Sequence, residues 1–149
     1  MNYAHHANLL FPLPCTCQNL RRLTRLTTRI YDHELDKADT EITQFSLLTA
    51  LAKVGEANQK TLCAGLAMDS TTLTRTLAQL RRRGWIHVRP GKDRRERIFR
   101  LTEAGKEQVK IAQQHWQAAE DRVRKSLGPA TWKRLRDAVA RATSAVLAA

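Results

Sequence analysis

The sequence predicts a mainly α fold with one small β-hairpin, an α+β arrangement, on three observations. Apolar residues recur at spacings of three and four along most of the chain, the period of an amphipathic helix. Polar residues suited to capping stand at the starts of several of these periodic runs. One stretch departs from the pattern. Arg89-Pro-Gly-Lys-Asp-Arg-Arg-Glu-Arg-Ile-Phe-Arg-Leu-Thr-Glu-Ala-Gly105 alternates as two short strands around a charged tip and runs into a helix start at Thr102. Pro90 and Gly91 end the first strand, and Lys92 to Arg95 are too polar for burial.

Taken in order, residues 1–14 lack periodicity and are expected to form a loose arm. A long helix is predicted from near Cys17 to about Asp36, with Leu20, Leu23, Thr27, Ile30 and Tyr31 on one face and Arg21, Arg25 and Arg29 on another. Thr43 is the expected cap of a second helix carrying Phe45, Leu48 and Leu51, which stops near Gly55. Asn58 caps a short third helix with Leu62 and Leu66 inward and Cys63 beside them in the core. Asp69 caps a fourth whose Leu73, Leu77 and Leu80 make the buried stripe. Thr102 opens a long helix with Val109, Ala112, Trp116, Ala119, Val123 and Leu127 in register, interrupted at Gly128-Pro129. A last helix follows with Trp132, Leu135, Val139, Ala142 and Val146. Such sustained spacing resembles a coiled-coil seam. These helices are longer than a small lobe can cover, so the first and the last two are expected to pack against a second copy of the chain.

At 149 residues the chain is a single domain spanning 1–149. Within it, about 15–40 and 102–149 are the expected dimerisation helices, and about 41–101 a nucleic-acid-binding lobe. The formal charge of +12 makes polyanions the natural partners, and the excess is localised. Ser70 to Arg100 holds ten Lys or Arg against two acids, whereas Asp32 to Glu41 holds five acids and one lysine. Leu9-Leu-Phe-Pro-Leu13 is too short and proline-broken for an export signal, and nothing approaches membrane-spanning length. Three cysteines without an export signal point to a reducing compartment, so a cytoplasmic protein is expected.

A helix with short polar groups at its start, followed by a basic hairpin, is the layout of a winged helix-turn-helix, and that layout points to double-stranded DNA. Aligned on its buried leucines, the fourth helix turns Ser70, Thr71, Thr72, Thr74, Arg75 and Gln79 outward. Short hydroxyls near a helix N-terminus approach base edges and phosphates closely. Arg75 is long enough for a two-bond contact to guanine, and Gln79 has the groups to read adenine from further up. At the hairpin tip, Asp93 stands two residues from Arg95. A carboxylate there is expected to hold the guanidinium extended for a narrow minor groove, with Lys92 and Arg94 adding phosphate contacts. The bland readings are a solvated helix face and a surface ion pair that contributes little.

Ile42-Thr-Gln-Phe-Ser-Leu-Leu-Thr-Ala-Leu51, Ser70-Thr-Thr-Leu-Thr-Arg75, Leu80 to Gly84, and Asp93-x-Arg95 followed by Leu101-Thr102-x-x-Gly105 resemble the MarR family of bacterial transcription regulators over about residues 18–147. The resemblance implies an obligate homodimer of winged helices that binds inverted-repeat operators and usually represses nearby genes. It also implies a small-molecule or oxidant signal received between the dimer helices and the DNA-binding lobes. Ser70 to Arg75 would be the recognition segment, and Asp93 with Arg95 the wing pair.

Cys15-Thr-Cys17 stands at the start of the first helix, where the helix dipole and Arg21 and Arg22 one turn on favour a thiolate. This suits a redox-sensing repressor. Disulfide geometry bridges residues two apart poorly, so a bridge across a dimer is the expected form. His5 and His6 with these cysteines lack ligand-grade spacing, so no metal and no cofactor are expected. Enzyme readings have no foothold, because no phosphate loop, nucleophile elbow or HExxH is present. A thiol redox enzyme would need the absent C-x-x-C spacing. The remaining rival is a non-specific architectural DNA-binding protein, separable by the ratio of specific to random DNA affinity.

Overall fold

The computed structural model describes residues 11–93 and 95–148, so His5, His6 and Arg94 lie outside the described residues. Nine regular elements follow one another: α1 (Thr16–Leu35), α2 (Ile42–Val54), β1 (Glu56–Asn58), α3 (Gln59–Leu66), α4 (Ser70–Arg82), β2 (Ile86–Pro90), β3 (Arg97–Leu101), α5 (Glu103–Leu127) and α6 (Pro129–Leu147). A short 3₁₀ turn, Asp36–Ala38, joins α1 to α2. The predicted mainly helical α+β fold with a hairpin wing is the one observed.

Two local expectations are corrected. The cap of α2 is not Thr43, which lies inside the helix; the N-cap position is Glu41, with no side-chain cap of its own. The Ile42 N–H instead donates to Asp32 Oδ1 at 2.8 Å, so α1 caps α2 from ten residues away. The sheet also has a third strand. β1 pairs antiparallel with β3 (Ala57 opposite Phe99), and β3 with β2 (Val88 opposite Phe99), giving the order β1-β3-β2.

The main core is where α2, α3, α4 and the sheet meet. Leu47, Leu48, Leu51, Leu73 and Leu80 are completely buried there, with Leu62, Leu77, Ile86 and Phe99 nearly so. Cys63 packs at its edge. A second cluster of Leu35, Ala38, Phe45 and Ala112 ties α1 and α2 to α5, with Phe45 stacked on Trp116.

Three acids of the stretch from Asp32 to Glu41 fasten neighbouring elements together, while Asp36, Asp39 and Glu41 remain exposed. Asp32 caps α2, Glu34 pairs with Lys37 and Arg122, and Asp39 receives the guanidinium of Arg83 at the end of α4. The Lys37 hydrogen bond holds the Glu34 carboxyl below its usual range. Gln108 of α5 donates to the Ala38 carbonyl and Thr40 Oγ, closing the same junction. No described helix is long and apolar enough to cross a membrane.

Candidate nucleic-acid interface

The turn between α3 and α4 sets the presentation of α4. Asn58 Oδ1 accepts from the Thr61 N–H and Asp69 Oδ1 from the Thr72 N–H, both at 2.8 Å, so both predicted caps are made. The Thr72 N–H holds the Asp69 carboxyl below its usual range, keeping it ionised at the helix start. On the inner side of α4, Leu73, Leu77 and Leu80 are buried together with Thr76, whose hydroxyl bonds the Thr72 carbonyl. At the far end, Gly84 takes φ +72°, and the Gly84 and Trp85 N–H groups close on the Arg81 and Leu80 carbonyls. A glycine in the left-handed region is the usual way to end a helix so sharply.

Burial of that stripe leaves Ser70, Thr71, Thr74 and Arg75 exposed, and Thr72 and Gln79 partly so. Thr74 is not simply free. Its hydroxyl donates to the Ser70 carbonyl at 2.7 Å and accepts from Gln59 Nε2 at 2.9 Å, linking the first residue of α3 to α4. Gln59 was missed by sequence reasoning, and only its place directly after the Asn58 cap could have marked it.

Between α4 and the hairpin runs a groove of about 230 Å³ lined by Gln59, Thr74, Arg81 and Arg97 over the edge of Leu77 and Phe99. Arg81 and Arg97 were likewise not singled out. The signal for Arg97 was available, since alternation from Phe99 turns it to the α4 side of the sheet.

The hairpin tip differs from expectation in one respect. Asp93 Oδ1 accepts from the Arg95 main-chain N–H at 3.0 Å, and the described ion pairs include none between the Asp93 carboxylate and the Arg95 guanidinium. Local side-chain-to-backbone bonding wins at such a turn because the acceptor reaches the N–H two residues on without ordering a long side chain. Asp93 therefore shapes the turn, and Lys92 and Arg95 stay exposed. Below the tip, the Gly91 N–H donates to the Glu96 carbonyl and the Glu96 N–H to the Asp93 carbonyl, both at 2.9 Å. The Glu96 carboxylate lies where a side chain on Gly91 would stand and accepts from Asn58 Nδ2 at 2.6 Å.

Leu101-Thr102-x-x-Gly105 acquires a physical meaning. Thr102 Oγ donates to the Gly84 carbonyl at 2.7 Å and accepts from the Gly105 N–H at 3.0 Å, while the Thr102 N–H reaches the Trp85 carbonyl. A Cβ on Gly105 would lie 2.0 Å from that Trp85 oxygen. The motif thus welds the start of α5 to the end of α4.

Cys15 is the N-cap residue of α1 and Cys17 lies in its first turn; both are exposed. Cys17 lines a surface groove with Leu20, Arg21 and Val146. Arg22 is engaged with the Phe11 carbonyl and Asn19. Among the described residues no His, Cys, Asp and Glu cluster has metal-holding geometry.

With this geometry in view, known proteins can be compared. Residues 38–96 match the family model described as MarR family. The MosR transcriptional regulator of M. tuberculosis, solved in complex with DNA, superposes with a TM-score of 0.79 at 31% identity, covering 90% of this chain and 97% of that one. A cysteine-to-serine mutant of E. coli MarR, solved with operator DNA, gives a TM-score of 0.76 at 19% identity, covering 95% and 98%, a likeness of fold. The HTH-type transcriptional regulator YwoH of Bacillus subtilis is 30% identical over 83 residues, which are 56% of this chain and 61% of that relative's length. These relatives are transcription regulators rather than enzymes. On sequence and structure together, the chain belongs to the MarR family of transcription regulators.

Proposed function

We propose that the protein is a homodimeric, sequence-specific DNA-binding repressor released from an inverted-repeat operator by a small-molecule or oxidant signal. The observation that carries the DNA reading is the asymmetry of α4. One face is locked into the core, while the other presents Ser70, Thr71, Thr72, Thr74, Arg75 and Gln79 beside a basic groove that continues to the hairpin. In this reading the α4 residues enter the major groove, Arg75 makes the principal base contact, and Lys92, Arg94 and Arg95 meet phosphates and the minor groove. Asp93 acts by holding the turn. That MosR, 31% identical, was solved in complex with DNA supports DNA binding by this chain.

The dimer reading, with residues 15–40 and 102–149 as its helices, rests on what one chain leaves uncovered. No residue of α6 is buried, and Leu20, Leu23, Val139 and Val146 are 37–76% exposed along α1 and α6. Leu20, Leu23 and Val139 share a groove with Leu127, Trp132 and Leu135, and Val146 lines a second groove with Leu20, apolar surface that a second copy would remove from water. Selection from random duplex DNA is expected to return an inverted repeat with half-sites about one helical turn apart, and sedimentation at micromolar concentration to show dimer only. Enrichment of no motif would support the architectural alternative, and a stable folded monomer would overturn the dimer.

The exposed thiols at the start of α1 favour a second reading of the signal, a redox-sensing repressor acting through Cys15 and Cys17. Mild peroxide is expected to give a sulfenic acid or a disulfide and to release the operator, reversibly with a thiol reductant. A Cys15→Ser/Cys17→Ser variant that still leaves DNA on oxidation would rule this out.

A further inference from the structure

Of the positions that α4 turns outward, two present a methyl group in place of a hydrogen-bond donor. Thr74 is exposed, yet its hydroxyl is committed within the protein. Its only proton goes to the Ser70 carbonyl at 2.7 Å, and Gln59 Nε2 donates to its oxygen at 2.9 Å. A threonine whose oxygen is turned back on its own helix has its Cγ2 methyl left to meet an approaching surface. Ala78 follows one turn later, exposed and lining the same groove between α4 and the hairpin. Residues four apart are neighbours on a helix, so the two methyl groups stand side by side.

Around this pair the outward face is polar. Arg75 and Arg82 stand within one turn of Ala78 on either side, and both are exposed. A small residue between two arginines lets the helix axis come close to a groove floor while the guanidinium groups reach past it. Helix propensity alone explains an alanine at 78, but it disfavours a β-branched threonine at 74. That threonine is nevertheless held by a side-chain amide from a different helix. In the major groove every base-pair edge offers hydrogen-bonding groups, and thymine alone adds a C5 methyl. A polar edge set against two methyl groups loses water and gains no partner, whereas a thymine methyl gains by being covered.

We infer that Thr74 and Ala78 form an apolar reader of thymine. With α4 in the major groove, their methyl groups pack on the C5 methyl of a thymine beside the base pair that Arg75 contacts. Gln59 is a positioning residue here, since its amide keeps the Thr74 hydroxyl on the protein and so settles which part of that side chain meets the base. The inference rests on the DNA reading above and adds to it a specificity-determining residue, Ala78, and the chemistry of its contact.

Replacing thymine by uracil removes the C5 methyl and nothing else, so it tests the contact directly. The probe is the duplex that the full chain enriches from random DNA, with each thymine of one half-site replaced in turn and affinity read by fluorescence anisotropy. One or two positions per half-site are expected to lose about fourfold, the effect of uncovering a single methyl group. At such a position 5-methylcytosine should bind better than cytosine by a similar factor. Thr74→Ser keeps the hydroxyl and removes the methyl, so it should no longer distinguish thymine from uracil at one position. Thr74→Val keeps the methyl and removes the hydroxyl, and the thymine-to-uracil ratio should persist whatever the overall affinity. Ala78→Ser, which sets a hydroxyl in the patch, should lower the ratio as well. Circular-dichroism melts show that each variant is folded. Indifference to uracil at every thymine overturns the proposal, as does an enriched motif without thymine. A ratio that Thr74→Ser keeps or Thr74→Val loses also overturns it, the second by making the hydroxyl the reader. Enrichment of no sequence removes the DNA reading and this inference together, a result distinct from a selective protein that ignores the methyl.

Discussion

Gly105→Ala is expected to destabilise the protein by about 3 kcal/mol, seen as a fall in melting temperature on the order of 10 °C. The added methyl would stand 2.0 Å from the Trp85 carbonyl oxygen, a main-chain atom that cannot swing aside. Relief requires the start of α5 to lift away from Trp85, which pulls on the Thr102 bonds to Gly84, Trp85 and Gly105. Operator binding should weaken in parallel, because the same weld fixes the hairpin against α4. Gly65→Ala is the matched control. Gly65 lies in α3 with nothing within 4 Å of its absent side chain, so alanine there should stabilise by up to about 1 kcal/mol through helix propensity. Circular-dichroism melts of the two variants should move in opposite directions. If Gly105→Ala melts with the parent, the packing of α5 on Trp85 is not what holds the lobe together.

Operator affinity is expected to fall about 10³- to 10⁵-fold between 50 and 200 mM salt, since two basic lobes would release roughly six to ten condensed counterions. Within that dependence, two arginines should behave differently. Arg75→Ala should cost about 1–3 kcal/mol and relax the preference at one base position, as loss of a two-bond base contact does. Arg95→Ala should weaken binding most on operators with a narrow A·T-rich minor groove and flatten the salt slope by about one counterion. Fluorescence anisotropy over a salt series reads both effects. Parent-like binding by both variants would place the recognition surface elsewhere.

The features legible in the sequence were those whose cause is local. Asn58, Asp69 and Thr102 act as caps because the acceptor and its N–H lie three residues apart, and the leucine stripe of α4 follows from helical period alone. The start of α2 was misplaced because its N–H partner, Asp32, belongs to another helix and no spacing rule connects them. β1 escaped notice because Glu-Ala-Asn has neither β-branched nor aromatic residues; its strand exists only through pairing with β3. At the candidate site, the outward positions of α4 followed from burial of their neighbours. Gln59, Arg81 and Arg97 did not, since they are gathered by the meeting of three elements distant in the chain.

Asn58 carries a consequence for how the hairpin can vary. It ends β1, caps α3 and donates to Glu96, whose main chain closes on Gly91 and whose side chain covers it. A one-residue slip of β3 would turn Phe99 out to solvent and break that contact to Asn58 at the same time. Alignment of the strands is therefore settled below the tip, by residues that the helix-turn-helix already holds in place. Substitution of exposed Lys92 or Arg95 is therefore expected to leave the strand pairing unchanged. How the strands of the wing pair and which charges their tip presents are thus set by different residues.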